Sequence, residues 1–192
     1  LQSAQMTRKK TLLLFLIAAA TAVLAAPPKS EAEIAPRVAK SLEELSQKPR
    51  PRLLLGPDGV EGLRRNAKTN LGKQVAECIL NDANLLLHEP VLRYELRPDL
   101  LRVARAALFR IATLANAYKL TGNRAFAERG IQEMQAVCDF PDWYPRHFLG
   151  VAELGLAVSL GYDFFYGELT AEQREKMVDT LYTRLILPSM AE

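Results

Sequence analysis

One stretch limits the architectures open to this chain more than any other: Phe148 to Tyr166, nineteen residues whose only charged side chains are Glu153 and Asp163. A helix that is apolar most of the way round must be buried on several sides or sit in lipid. Gly150, Gly155 and Gly161 interrupt the stretch, two acids lie within it, and no basic flank follows. Each acid would cost a few kcal/mol at mid-membrane. The expectation is therefore a core helix, with small residues admitting its neighbours closely.

Once one helix must be wrapped by others, the flanking chain has to supply them. From Pro57 onward there is no convincing period-2 strand, whereas helix starts and stops recur. Asp58 is read as the cap of a helix to about Asn70. Gly72 separates it from a second helix, Lys73 to about His88, and Pro90 and Pro98 bracket an extended link containing Tyr94. Leu100, Ala104, Ala107, Ile111, Leu114 and Tyr118 are spaced by three and four, which predicts a long helix packed on more than one face. Leu120-Thr121-Gly122-Asn123 then reads as a helix stop followed directly by an N-cap, closing an antiparallel hairpin. Its second arm runs from Arg124 to about Val137 with Phe126, Gly130, Met134 and Val137 inward. The loop Asp139 to His147 leads into the apolar helix. Thr170 with Gln173 spells a capping box for a last helix to about Leu187, ahead of Pro188. The fold class is all-α: stacked antiparallel helical hairpins.

The first 51 residues differ in composition. Met6, a basic Arg8-Lys9-Lys10 and an apolar run to Ala26 have the layout of a secretory signal peptide, residues 1–25, with cleavage after Ala25. The apolar run is short for an uncleaved anchor, the rival assignment. Export to the periplasm or the medium follows. Residues 26–51, with five prolines among Lys, Glu and Ser, form a Pro-rich extension with room for a short helix at Ser41 to Gln47. The formal net charge of +3 vanishes once Arg8, Lys9 and Lys10 are set aside, so no nucleic-acid partner is expected. Two cysteines and two histidines are too few for a protein-only metal centre or a disulfide scaffold, and buried free thiols are the default for Cys78 and Cys138.

Polar groups within this pattern carry structural expectations. Glu153 lies one heptad after Arg146 and is expected to pair with it. Asp163 with Tyr162 and Tyr166 reads as a hydrogen-bond cluster, and Arg93, Arg97, Arg102, Arg105 and Arg110 as a solvated or ion-paired face. The loop Asp139 to His147 concentrates Phe140, Trp143, Tyr144, Arg146 and His147. Aromatic faces stack on sugar rings and Arg and His contact carboxylates, so Trp143, Tyr144, Arg146 and His147 are the candidate substrate-binding residues. Against this, Trp143 and Phe140 also suit a hydrophobic plug for the hairpin end.

Three pieces of the sequence, Arg50 to Arg65 (RPRLLLGPDGVEGLRR), Ala117 to Gly130 (AYKLTGNRAFAERG) and above all Phe140 to Thr170 (FPDWYPRHFLGVAELGLAVSLGYDFFYGELT), resemble the N-terminal α/α toroid domain of heparinase II/III-like polysaccharide lyases, and are similar to that of related alginate lyases. The resemblance spans about residues 50 to 190. It implies that residues 52–192 form the first part of an (α/α) toroid, acting on acidic polysaccharide by β-elimination without a cofactor. In such lyases the proton-transferring groups lie on later toroid helices and a β-rich domain, so no catalytic residue carries over and this portion alone is expected to be inactive. The last predicted helix keeps Leu181, Tyr182, Leu185, Ile186 and Leu187, which leaves the array without a polar cap and points to a longer protein. The competing function is an exported helical-repeat scaffold for protein partners, although no fixed repeat of about 34 residues is present. A glycoside hydrolase toroid would need paired acids across a bond, which Glu153 and Asp163 on one helix do not supply.

Overall fold

A computed structural model describes residues 31–55, 58–96 and 99–190 of the chain. The expected signal peptide and its cleavage site lie outside the described residues. The chain divides into two compact units at Gln47/Lys48.

Within the first unit, α1 (Glu31–Ser46) replaces most of the expected extension. The capping-box reading started a short helix at Ser41, but α1 begins ten residues earlier and runs through Pro36. Proline removes a single N–H donor, so a sixteen-residue helix survives it at reduced stability.

The second unit opens with a segment, 48–55, followed by α2 (Gly59–Asn66) and α3 (Asn70–Leu86). The boundary between these helices differs from expectation. Thr69 caps α3, its Oγ1 accepting from Gly72 N at 3.2 Å, so Gly72 lies inside the first turn instead of between helices. A Cβ on Gly72 would fall on the Asn66 carbonyl, so the glycine is there for close approach of the preceding chain. Asp58 occupies the cap position of α2 without a side-chain cap bond and pairs with Arg65 instead.

The hairpin at Gly122 follows the expected chemistry. α4 (Leu100–Thr121) closes on Gly122 at φ 74°, and Asn123 Oδ1 accepts from Ala125 N at 3.1 Å to open α5 (Arg124–Cys138). The apolar stretch forms α6 (Phe148–Phe164), and α7 (Ala171–Leu181) starts at the complete Thr170–Gln173 capping box. The last helix does not stop before Pro188. It passes through a wide i→i+5 turn at Tyr182–Ile186 into α8 (Leu187–Met190). Pro188 lacks the donor that would bond back to residue 184, and the widened turn falls where that bond is missing.

Helix α6 is the centre of the core: Val151, Leu154, Ala157 and Val158 are wholly buried. No helix among the described residues is long and apolar enough to cross a membrane. The glycine positions show how closely α6 is packed. A Cβ at Gly150 would lie 4.0 Å from Leu101 Cα, and one at Gly161 2.8 Å from Ile111 Cγ2. Between them Glu153 meets Arg105. The pairs 101/150, 105/153 and 111/161 rise together, so α4 and α6 run parallel. Gly130 faces Phe165 and Met134 faces Gly161, so α5 runs antiparallel to α6. Helix α7 closes onto α5, with Lys176 on Asp139. The described residues are all-α, without strands. Cys138 is buried, its thiol pushed up by desolvation, whereas Cys78 is exposed on α3, against the expectation that both are buried.

A wholly buried carboxylate, Glu133, adds a polar tie between the helices. Glu133 Oε1 accepts from Arg129 Nη2 (2.7 Å) and Nε (3.1 Å) and from Arg110 Nη1 (3.1 Å), while Oε2 accepts from Leu92 N (3.0 Å). This network ties α4, α5 and the link before α4 together.

Candidate functional site

The Asp139–His147 loop is built by pinning its own polar groups. Asp142 Oδ1 accepts from Tyr144 N (3.0 Å) and from Tyr94 OH (2.8 Å), which joins the loop to the link at 89–96. Tyr94 also meets Phe140 edge to face at 5.6 Å. Partial burial and the Asp142 carboxylate hold the Tyr94 phenol above its usual pKa. From the other side Arg184 donates to Phe140 O. So anchored, the loop holds Tyr144 at φ 51°, a left-handed backbone that a bulky side chain seldom adopts and that is kept only where its surroundings enforce it.

Four sequence-predicted residues fare differently. Trp143 is 2 % exposed, with Nε1 donating to Val137 O at 3.1 Å. Its rings are spent on the core, so it offers no face to a ligand and the plug interpretation holds for it. Tyr144 is half-buried. Arg146 and His147 are exposed, His147 at the N-cap position of α6 with no side-chain cap bond. The loop brings Tyr144, Arg146 and His147 to one end of the array, beside the first turn of α4.

The expected Arg146–Glu153 pair does not form. Glu153 Oε1 accepts from Arg105 Nε at 3.3 Å across the parallel α4–α6 interface, and its Oε2 is buried with no hydrogen-bond partner. A heptad separation puts two residues on one side only if both are helical, and Arg146 precedes the helix. The arginine group on and before α4 is largely ion-paired: Arg102 with Glu95, Arg105 with Glu153, Arg110 with Glu133. Arg97 lies outside the described residues. Among those residues no three His, Cys, Asp or Glu side chains converge as a metal-ligand set.

A second polar centre, which the sequence suggested only as a cluster, occupies the opposite end of α6. Asp163 is 1 % exposed and accepts from Arg50 Nη1 (2.9 Å), Arg52 N (2.6 Å) and Leu53 N (2.9 Å), fastening the 48–55 segment across more than a hundred residues of chain. Tyr162 and Tyr166 stack edge to face at 5.5 Å, and the Arg50 guanidinium lies 4.3 Å from the Tyr166 centroid. Nearby, Tyr118 OH donates to Glu168 Oε1 at 2.7 Å. That bond, with burial, raises the phenol pKa, while burial lowers that of Lys119.

Neither models of known protein families nor curated proteins match the chain.

Proposed function

We propose that the chain is the N-terminal portion of an exported polysaccharide lyase whose loop at Tyr144, Arg146 and His147 contacts an acidic, uronate-containing polysaccharide. The observation that carries this is the pinned loop. It holds an exposed arginine and an exposed histidine beside a strained tyrosine, at the end where both long buried helices begin. Arg146 supplies a planar donor set matched to carboxylate, His147 a second donor, and Tyr144 a ring edge.

Further support comes from the hairpin rhythm. Parallel α4 and α6 in one layer, with α5 returning antiparallel in the next, is the local arrangement an (α/α) toroid repeats. Ile186 and Leu187 are 44 % and 45 % exposed, which suits a face covered by the next hairpin of that ring. A general base for β-elimination requires a proton acceptor near neutrality. Tyr94 and Tyr118 are displaced the other way, in keeping with proton transfer being supplied by other parts of the enzyme.

An exported helical-repeat scaffold for protein partners has one observation in its favour: Leu71, Val75, Cys78 and Leu85 line an exposed apolar stripe along α3. Affinity electrophoresis through gels containing alginate, polygalacturonate or heparin separates the two. Retardation of the chain, relieved by the double substitution Arg146→Ala/His147→Ala, is expected, together with no release of unsaturated uronate. Equal mobility with and without polysaccharide would favour the scaffold.

A further inference from the structure

At the far end of α6 from the loop, a groove of about 860 Å³ runs between Tyr162, Tyr166 and α7, bordered by Arg174 and Tyr182 and by Glu172, Glu175 and Asp179. Arg174 is the unusual member. Its guanidinium lies 4.2 Å from the Tyr166 centroid, its Nε is buried without a hydrogen-bond partner, and it joins no ion pair among the described residues. The neighbouring cation on α7, Lys176, is engaged by Asp139. A guanidinium held by ring stacking keeps its planar donor fork oriented while leaving the hydrogen-bonding capacity unspent. Tyr182, 53 % exposed, offers a ring beside it.

The mixture of groups narrows the ligand. One available guanidinium is complementary to one carboxylate, bidentately. The exposed carboxylates of Glu172, Glu175 and Asp179 accept hydrogen bonds from hydroxyls and repel a second nearby anionic group. The Tyr182 ring suits the apolar face of a pyranose. We infer that this groove is a second carbohydrate-binding surface, taking an unsulfated uronate residue with its carboxylate on Arg174 and its hydroxyls toward the α7 acids. A sulfated chain, which places sulfates on ring positions where an unsulfated uronan presents hydroxyls, is disfavoured by the same acids. This rests on the proposed action on uronans and adds to it both a separate contact and a choice among them.

The test is titration of the full chain with an unsulfated hexameric oligouronate, followed by amide chemical shifts, with a heparin hexasaccharide and a neutral hexaose of the same length alongside. Arg174→Met keeps an apolar stem over Tyr166 and removes the charge. It is expected to weaken oligouronate binding at the α7 amides at least about tenfold, the scale of one lost charge-assisted contact, with Arg174→Lys recovering part of the loss. Tyr182→Ala should weaken the oligouronate and the neutral hexaose alike. Retained amide dispersion in each variant confirms folding. Oligouronate binding that shifts α7 amides equally in the native chain and in Arg174→Met, or that shifts only loop amides near His147, overturns the groove while leaving the proposed function standing. Tighter binding of heparin than of oligouronate at α7 overturns the choice of ligand. No binding of any uronan anywhere on the native chain sinks the proposed function and the groove with it.

Discussion

Replacing Glu133 by alanine strips four donors of an acceptor that itself sits where water does not reach. The carboxylate is fully buried, Arg129 is 7 % exposed, and the Arg110 side chain is 19 % exposed. Two routes to a magnitude agree. Removing one partner of a buried ion pair costs about 3–5 kcal/mol, because the remaining charge stays buried and uncompensated. Leaving two or three buried donors unsatisfied, at about 1–3 kcal/mol each, gives about 2–9 kcal/mol, a wider range that contains the first. Against a domain stability of about 5–15 kcal/mol this is a large fraction. Urea unfolding followed by circular dichroism should therefore show Glu133→Ala losing about 3–5 kcal/mol at an unchanged m value. The reasoning also demands non-additivity. If the stranded Arg129 charge dominates, the pair Glu133→Leu/Arg129→Leu should lose less than Glu133→Leu alone, even though more native contacts are deleted. A loss below about 1 kcal/mol for Glu133→Ala, or a double variant worse than the sum of its singles, would refute the account. The loss of the Leu92 N bond should show separately, as faster proteolysis within 89–96.

Three further outcomes follow from other parts of the fold. Asp163→Asn should free the 48–55 segment, so that trypsin cuts after Arg52 at least about tenfold faster while the helices keep their circular dichroism, since the lost contacts to Arg50, Arg52 and Leu53 amount to about 2 kcal/mol of local closure. Gly161→Ala would drive a methyl group into Ile111 and Met134 and should cost about 1–3 kcal/mol of stability by overpacking; a neutral effect in thermal unfolding would show that α6 is less tightly held than described. The Tyr118–Glu168 bond predicts alkaline behaviour. The raised phenol pKa means that the folded chain keeps its proton when the unfolded chain has lost it, so this stabilisation is complete below about pH 10 and disappears as pH climbs through the folded value. Stability of the native chain should thus fall more steeply above about pH 10 than that of Tyr118→Phe, read from urea midpoints across that range.

Where a structural choice was local, the residues announced it. Gly122 with Asn123, and Thr170 with Gln173, supply closing and opening chemistry within a few positions, and both operate as read. The helix and its buried stripe at Val151, Leu154, Ala157 and Val158 were likewise visible in the composition of Phe148–Phe164, whereas Phe148, Leu149 and Leu156 stay 39–51 % exposed on its outer side. Gly72 misled because a glycine that breaks a helix and a glycine that admits a passing carbonyl look the same without the neighbour. Partner choice across helices was beyond reach for a related reason: Glu153 selects Arg105 instead of Arg146 through the register of α4 against α6, which no spacing within either helix encodes. Trp143 was ambiguous for want of a neighbour as well, since the same ring serves a plug or a platform. The Glu133 network did leave a signal. Phe126, Arg129, Gly130, Glu133, Met134 and Val137 share one three-four stripe, and four of the six were read as inward. Two charges on a stripe otherwise destined for the interior should have been read as a buried pair.

The common direction of α4 and α6 has an electrical consequence. In an antiparallel pair the aligned peptide dipoles largely cancel; in a parallel pair they add, giving about half a positive charge per helix at the starting end and the same negative amount at the finishing end. That polarity belongs to the α4–α6 pair, and α5, running the other way between the same ends, opposes it. Cations collect at the negative pole, where Lys119 closes α4 and Arg50 sits against the end of α6. The positive pole of that pair lies at the loop bearing His147, where the finishing end of α5 at Cys138 supplies an opposing partial charge, so the two helix starts and the one helix stop share a single loop.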